Sequence, residues 1–84
     1  MTTVIYATGA DYMPACKWAV RQRNVWVTRS ETRARTDAAN GYRVIAVGGP
    51  ALRDLRDVPG VEGIVGHDAG ATEAKLNAFV LEES

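Results

Sequence analysis

Four short apolar runs punctuate the chain, and after each one apolar residues return at helical spacing. Thr3–Thr8 (TVIYAT), Val25–Thr28 (VWVT) and Tyr42–Val47 (YRVIAV) read as strands, and Glu62–Val65 as a weaker fourth. The spacing predicts helices from Tyr12 to Arg23, within Ser30–Asn40, around Ala51–Asp57, and from Thr72 to about Glu82. Strands that alternate with helices form βαβ units, whose right-handed crossovers give a mostly parallel sheet with helices on both faces. The expected fold is one small doubly wound α/β domain over residues 1–84, half of a flavodoxin-like fold, with four strands in the order 2-1-3-4. Turn chemistry agrees: Asn40-Gly41 stops a helix, Pro59-Gly60 makes a loop, and Ser30 and Thr72 suit N-caps.

The helix faces carry a second message. On the first helix, Tyr12, Ala15, Cys16, Ala19 and Val20 form the expected core stripe, with Trp18 outside it beside Lys17, Arg21 and Gln22. On the last, Leu76, Phe79 and Val80 form a core stripe, and Ala74, Ala78 and Leu81 a second apolar strip opposite. A four-stranded sheet also leaves two edges open, and a chain this short has a thin core. Both features predict association with further copies.

Composition narrows the class. With 84 residues and 46% apolar content the chain is globular rather than disordered. Ten bases balance ten acids, but residues 1–43 hold seven bases and three acids while residues 44–84 hold three and seven. Neutrality argues against bulk nucleic-acid binding, and the asymmetry leaves one basic patch. Cys16 is the single cysteine, which excludes an internal disulfide and a cysteine zinc cluster. Its place on the packed side of the helix predicts an inert thiol. No signal-peptide pattern opens the sequence and no apolar run could span a bilayer, so a cytoplasmic or virion-associated protein is expected, reaching a cell surface only by another route.

Ligands of open α/β sheets bind where strands end and helices begin. Four such turns carry candidate chemistry: Thr8-Gly9-Ala10-Asp11, Thr28-Arg29-Ser30, Gly48-Gly49-Pro50 and Gly66-His67-Asp68. Together they offer hydroxyls, a cation, an imidazole, two carboxylates and helix N-termini whose N–H groups favour an anion. Gly48-Gly49-Pro50 lacks both the third glycine of a dinucleotide fingerprint and the Lys-Ser/Thr ending of a P-loop, and reads as a turn. His67 and Asp68 adjoin, yet no nucleophile–base–orienter set accompanies them; no catalytic residue, cofactor or metal is assigned. The bases Lys17, Arg21, Arg23, Arg29, Arg33 and Arg35, near Trp18 and Trp26, fit a solvated face, an anionic or sugar partner, or an acidic neighbouring subunit.

The order of these motifs resembles one repeat of the cell wall binding repeat 2 family of Gram-positive surface proteins. The parallels are Val4-Ile5-Tyr6-Ala7-Thr8-Gly9 with Tyr12 and Ala15, Val25-Trp26-Val27-Thr28, Val44-Ile45-Ala46-Val47-Gly48-Gly49-Pro50-Ala51, and Val61-Glu62-Gly63-Ile64-Val65-Gly66-His67-Asp68 with Thr72. Met13-Pro14 stands where the family has proline–aspartate, and Ala69-Gly70 where it has arginine and an aromatic residue. The resemblance implies a Rossmann-like fold and, from the family's three-repeat pseudo-trimers, a homotrimer that holds anionic wall polymer without covalent bonds.

The leading expectation is therefore a non-catalytic binding and assembly module, with Arg29, Ser30, Trp18, Arg21 and Arg33 contributing to an anion or glycan surface. A structural accessory protein of a virion or cell surface on the same scaffold is the second. A small nucleotide binder or enzyme at the strand-end turns is the third.

Overall fold

A computed structural model describes residues 2–80. Four strands, β1 (Thr3–Ala7), β2 (Val25–Thr28), β3 (Arg43–Val47) and β4 (Glu62–Ile64), form one all-parallel sheet in the order β2-β1-β3-β4. Four helices, α1 (Tyr12–Ala19), α2 (Glu31–Ala39), α3 (Gly49–Asp54) and α4 (Ala69–Ala78), cover its two faces. The expected α/β class, parallel sheet and strand order are all present.

Alternation along the central strands divides the core into two layers. Ile5, Ala7, Ile45, Val47 and Ile64 point to the side covered by α1 and α4, where Ala15, Trp18, Ala19 and Leu76 meet them. Val4, Tyr6, Val44 and Ala46 point to the side of α2 and α3, against Ala34, Ala51 and Leu55. All five residues of β1 are buried because it is central and covered on both faces, as a run of consecutive apolar residues requires. Edge strand β2 is only half covered. Its Val25 and Val27 pack on the α1–α4 layer, while Trp26 stays 55% exposed.

Trp18 does not lie on the surface, contrary to the reading of α1 above. It is 1% exposed, with its ring 6.0 Å from that of Phe79. The buried face runs through Ala15, Trp18 and Ala19; Tyr12 and Cys16 are half-buried at its margin, and Val20 is 82% exposed. The helix ends at Ala19 rather than Arg23, so Val20 never completes the expected stripe. The connection to β2 runs through Asn24 at φ 56°, whose carbonyl accepts from Thr3 N.

Other boundaries shift for local reasons. Ser30 caps α2 as expected, accepting from Arg33 N at 3.1 Å, and Gly41 at φ +88° follows that helix. Thr72 is not the cap of α4: Asp68 takes that place, accepting from Ala71 N at 2.8 Å, and the helix starts at Ala69. At the other end Phe79 is already extended and Val80 is 78% exposed, so Val80 is not core; Ala74 and Ala78 are exposed as expected, and Leu81 and Glu82 lie outside the described residues. Helix α3 begins at Gly49, with Pro50 in its first turn where a missing N–H goes unused, and ends at Asp54.

Polar links tie the layers together. Tyr6 donates to Asp54 Oδ2 at 2.9 Å, and burial followed by that bond pushes its phenol up to about 12. Arg35 joins Glu31, Asp57 and the Asp54 carbonyl, and Arg43 makes a two-pronged pair with Glu62 across β3 and β4. These bonds raise the guanidinium of Arg35 and hold the carboxyls of Asp57 and Glu62 below their usual range.

Candidate functional site

Three of the four strand-end turns converge, at the point where the strand order reverses between β1 and β3. Asp11, Gly49, Pro50, Gly66, His67, Asp68, Ala69 and Thr72 line a depression of about 290 Å³. A 3-10 turn over Gly9–Asp11 brings Asp11 there: Gly9 adopts φ +55°, and Asp11 N donates back to the Thr8 carbonyl. Thr8 and Gly9 thus serve the turn and do not line the depression. Gly48 lies beneath it, at φ +96°, and a Cβ there would overlap the Asp11 carboxylate. Gly66 is equally constrained, since a Cβ would meet Ala71 and the Thr72 nitrogen.

Several backbone donors at these turns already have acceptors. Gly48 N donates to the Ile64 carbonyl at 2.8 Å, Gly66 N to Thr72 Oγ1 at 2.9 Å, and Ala71 N to Asp68 Oδ1. The second Asp68 oxygen lies 3.4 Å from His67 Nε2, and both side chains are exposed. Asp11 differs from them. It is 8% exposed and burial alone raises its carboxyl above the usual range. The lining therefore combines two carboxylates, an imidazole and a hydroxyl, without a lysine or arginine. Gly48-Gly49-Pro50 turns strand into helix and makes room for Asp11.

The fourth turn belongs to a different surface. Arg29 places its guanidinium 4.6 Å from the centre of the Tyr12 ring, and Ser30 is occupied as the α2 cap. Arg33 pairs with Asp37 at 3.3 Å and also lies 5.9 Å from the centre of the Trp26 ring. Arg21 is on the α1–α4 side, donating to Asn77 Oδ1 at 2.9 Å. Of the five residues expected to share a ligand surface, Arg29, Ser30 and Arg33 gather near the end of β2 and the start of α2. Trp18 is excluded by burial, and the aromatic face at this surface is that of Trp26. Its position between two inward valines on a strand that ends the sheet was the signal for it.

Among the described residues no group of three or more His, Cys, Asp or Glu side chains could hold a metal ion, and no helix is long and apolar enough to cross a membrane. Cys16 is a free, half-buried thiol. No protein-family model matches the chain, and neither does a curated protein or a solved structure.

Proposed function

We propose that this chain is a non-catalytic binding and assembly module that associates with copies of itself, as a homotrimer, and attaches to anionic cell-wall polymer or glycan. The observation that carries this reading is the way the topology lays out charge. The order β2-β1-β3-β4 puts the strands of the basic first half on one side of the sheet and those of the acidic second half on the other. Among the described residues, 2–43 hold seven bases and three acids, whereas 44–80 hold three bases and five acids. Both edge strands, β2 and β4, have one neighbour each. A head-to-tail contact then sets the basic edge of one copy against the acidic edge of the next, and a rotation that closes makes a ring rather than a filament.

At the basic edge, Trp26 offers an exposed ring with Arg33 over it, and Arg29 lies against Tyr12. Aromatic faces suit sugar rings and guanidinium groups suit phosphates or carboxylates. The number three comes from the resemblance of the motif order to cell wall binding repeats. The alternative, a structural accessory protein of a virion or cell surface, uses the same edges for assembly alone. It draws support from the internal engagement of Arg33 and Arg35 with acids of the same chain.

Retention on purified anionic wall polymer separates the two. The proposed binding predicts retention at low ionic strength, its loss as salt screens the arginines, and weakening in the Arg29→Ala/Arg33→Ala double variant. A trimer that flows through at low salt refutes polymer attachment and leaves the assembly role.

A further inference from the structure

Asp11 is a charged residue that is more than nine-tenths buried, yet no hydrogen bond or ion pair within the described residues reaches its carboxylate. Buried carboxylates are costly unless paired, and a fold normally supplies the partner. This fold instead arranges space for the group. Gly48 lacks a side chain where the carboxylate packs, and it holds a backbone conformation that other residues rarely adopt. No side-chain polar atom of the described residues is both sealed from solvent and unpartnered. The Asp11 carboxylate thus keeps an opening, and the depression it lines provides it.

The rest of the lining indicates what would fit. Asp68 adds a second carboxylate at the rim, Thr72 a hydroxyl, and no lysine or arginine side chain is present to neutralise them. An anion would meet two like charges, and the N–H groups of Gly48, Gly66 and Ala71 already have acceptors on Ile64, Thr72 and Asp68. A metal ion would find no group of three or more His, Cys, Asp or Glu side chains able to hold it among the described residues. A compact cation that brings its own hydrogen-bond donors has none of these conflicts. We propose that the strand-end depression is a binding site for a primary ammonium group, seated on Asp11 with Asp68 and Thr72 at its rim. Three N–H donors could satisfy the buried carboxylate and the rim oxygens together. The volume admits a molecule the size of a single sugar ring, so a small hydroxylated amine or a lysine side chain of a partner are the two sources of such a group.

This site is separate from the Trp26–Arg33 surface and does not rest on self-association. The test is amide chemical-shift mapping of the isotope-labelled full chain, titrated with methylammonium, glucosamine, glucose, inorganic phosphate, magnesium, and a capped Gly-Lys-Gly peptide. Saturable shifts at Gly49, Gly66, His67 and Thr72 are expected with the amines and not with glucose. Tighter binding of glucosamine than of the peptide assigns a free amine, and the reverse order a partner's lysine. Asp11→Asn, which keeps size and loses charge, should weaken the amines at least tenfold while its thermal midpoint stays at or above the parent's. Equal shifts with glucose and glucosamine, no saturation with any amine, a preference for phosphate or magnesium, or undiminished amine binding by a folded Asp11→Asn would each overturn the proposal.

Discussion

Gly48→Ala is the substitution that most sharply probes how the strand ends are built. The backbone there sits at φ +96° and ψ 156°, a conformation left almost entirely to glycine, so a side chain costs ~1–3 kcal/mol in strain. The new Cβ also lands on the Asp11 carboxylate, with Asp11 Cγ 2.6 Å away. Overpacking of this kind adds ~1–3 kcal/mol. The two costs can be separated because the second depends on Asp11. Asp11→Ala alone, which removes a carboxylate without a partner, should change stability by less than ~1 kcal/mol. In the double variant the strain remains and the overlap is gone, so the two changes should couple by ~1–3 kcal/mol in the protective direction. Urea unfolding of the four proteins measures this directly. A chain of this size shifts its thermal midpoint by roughly 4–8 °C for each kcal/mol, which makes the recovery visible by melting as well. Strict additivity would refute the packing of Asp11 against Gly48, and with it the basis for treating that carboxylate as sheltered.

Three other outcomes follow from the packing and the ionisations. Trp18→Ala should lose ~3–5 kcal/mol, as a buried large side chain does, while Trp26→Ala should leave the urea midpoint of the dissociated chain nearly unchanged; equal losses would mean the two indoles are misplaced. Because the Tyr6 phenol is raised from its unfolded value near 10 to about 12, its contribution is complete below pH 10 and lost as pH rises from there towards 12, by ~2–3 kcal/mol at 1.36 kcal/mol per unit; Tyr6→Phe should flatten that alkaline decline. The Glu62 carboxyl is lowered, chiefly by its hydrogen bonds with Arg43. Its contribution is therefore present above the ordinary carboxylate range and lost as pH falls through that range, and exposure limits it to ~0–1 kcal/mol; Glu62→Gln should shrink the acid-side slope and leave the alkaline side alone.

How far the sequence carries the structure depends on whether local chemistry decides an element. The central strands were legible because runs such as Val44–Val47 can only be buried on both faces, and Ser30 was legible because its hydroxyl needs nothing beyond its own helix. The phase of α1 was not. Ala15 and Ala19 belong to either candidate stripe, and what selects Trp18 is Phe79, sixty-one positions away along the chain. The start of α4 was missed because Asp68 and Thr72 both qualify as caps, and Thr72 is drawn off by Gly66 N. The convergence of Asp11 with His67 and Asp68 followed from the strand order. Its burial did not, since three separate turns enclose it.

The central functional claim is that open edges of unlike charge bring copies of the chain together. Sedimentation equilibrium across a wide concentration range tests it most directly, on the parent and on Trp26→Glu, which puts a negative charge on the basic, exposed β2 edge. The account predicts a species of three times the 9.1 kDa chain mass for the parent, with dissociation as salt rises, and a shift towards single chains in the variant. A parent that remains at the mass of one chain at the highest concentration would contradict it.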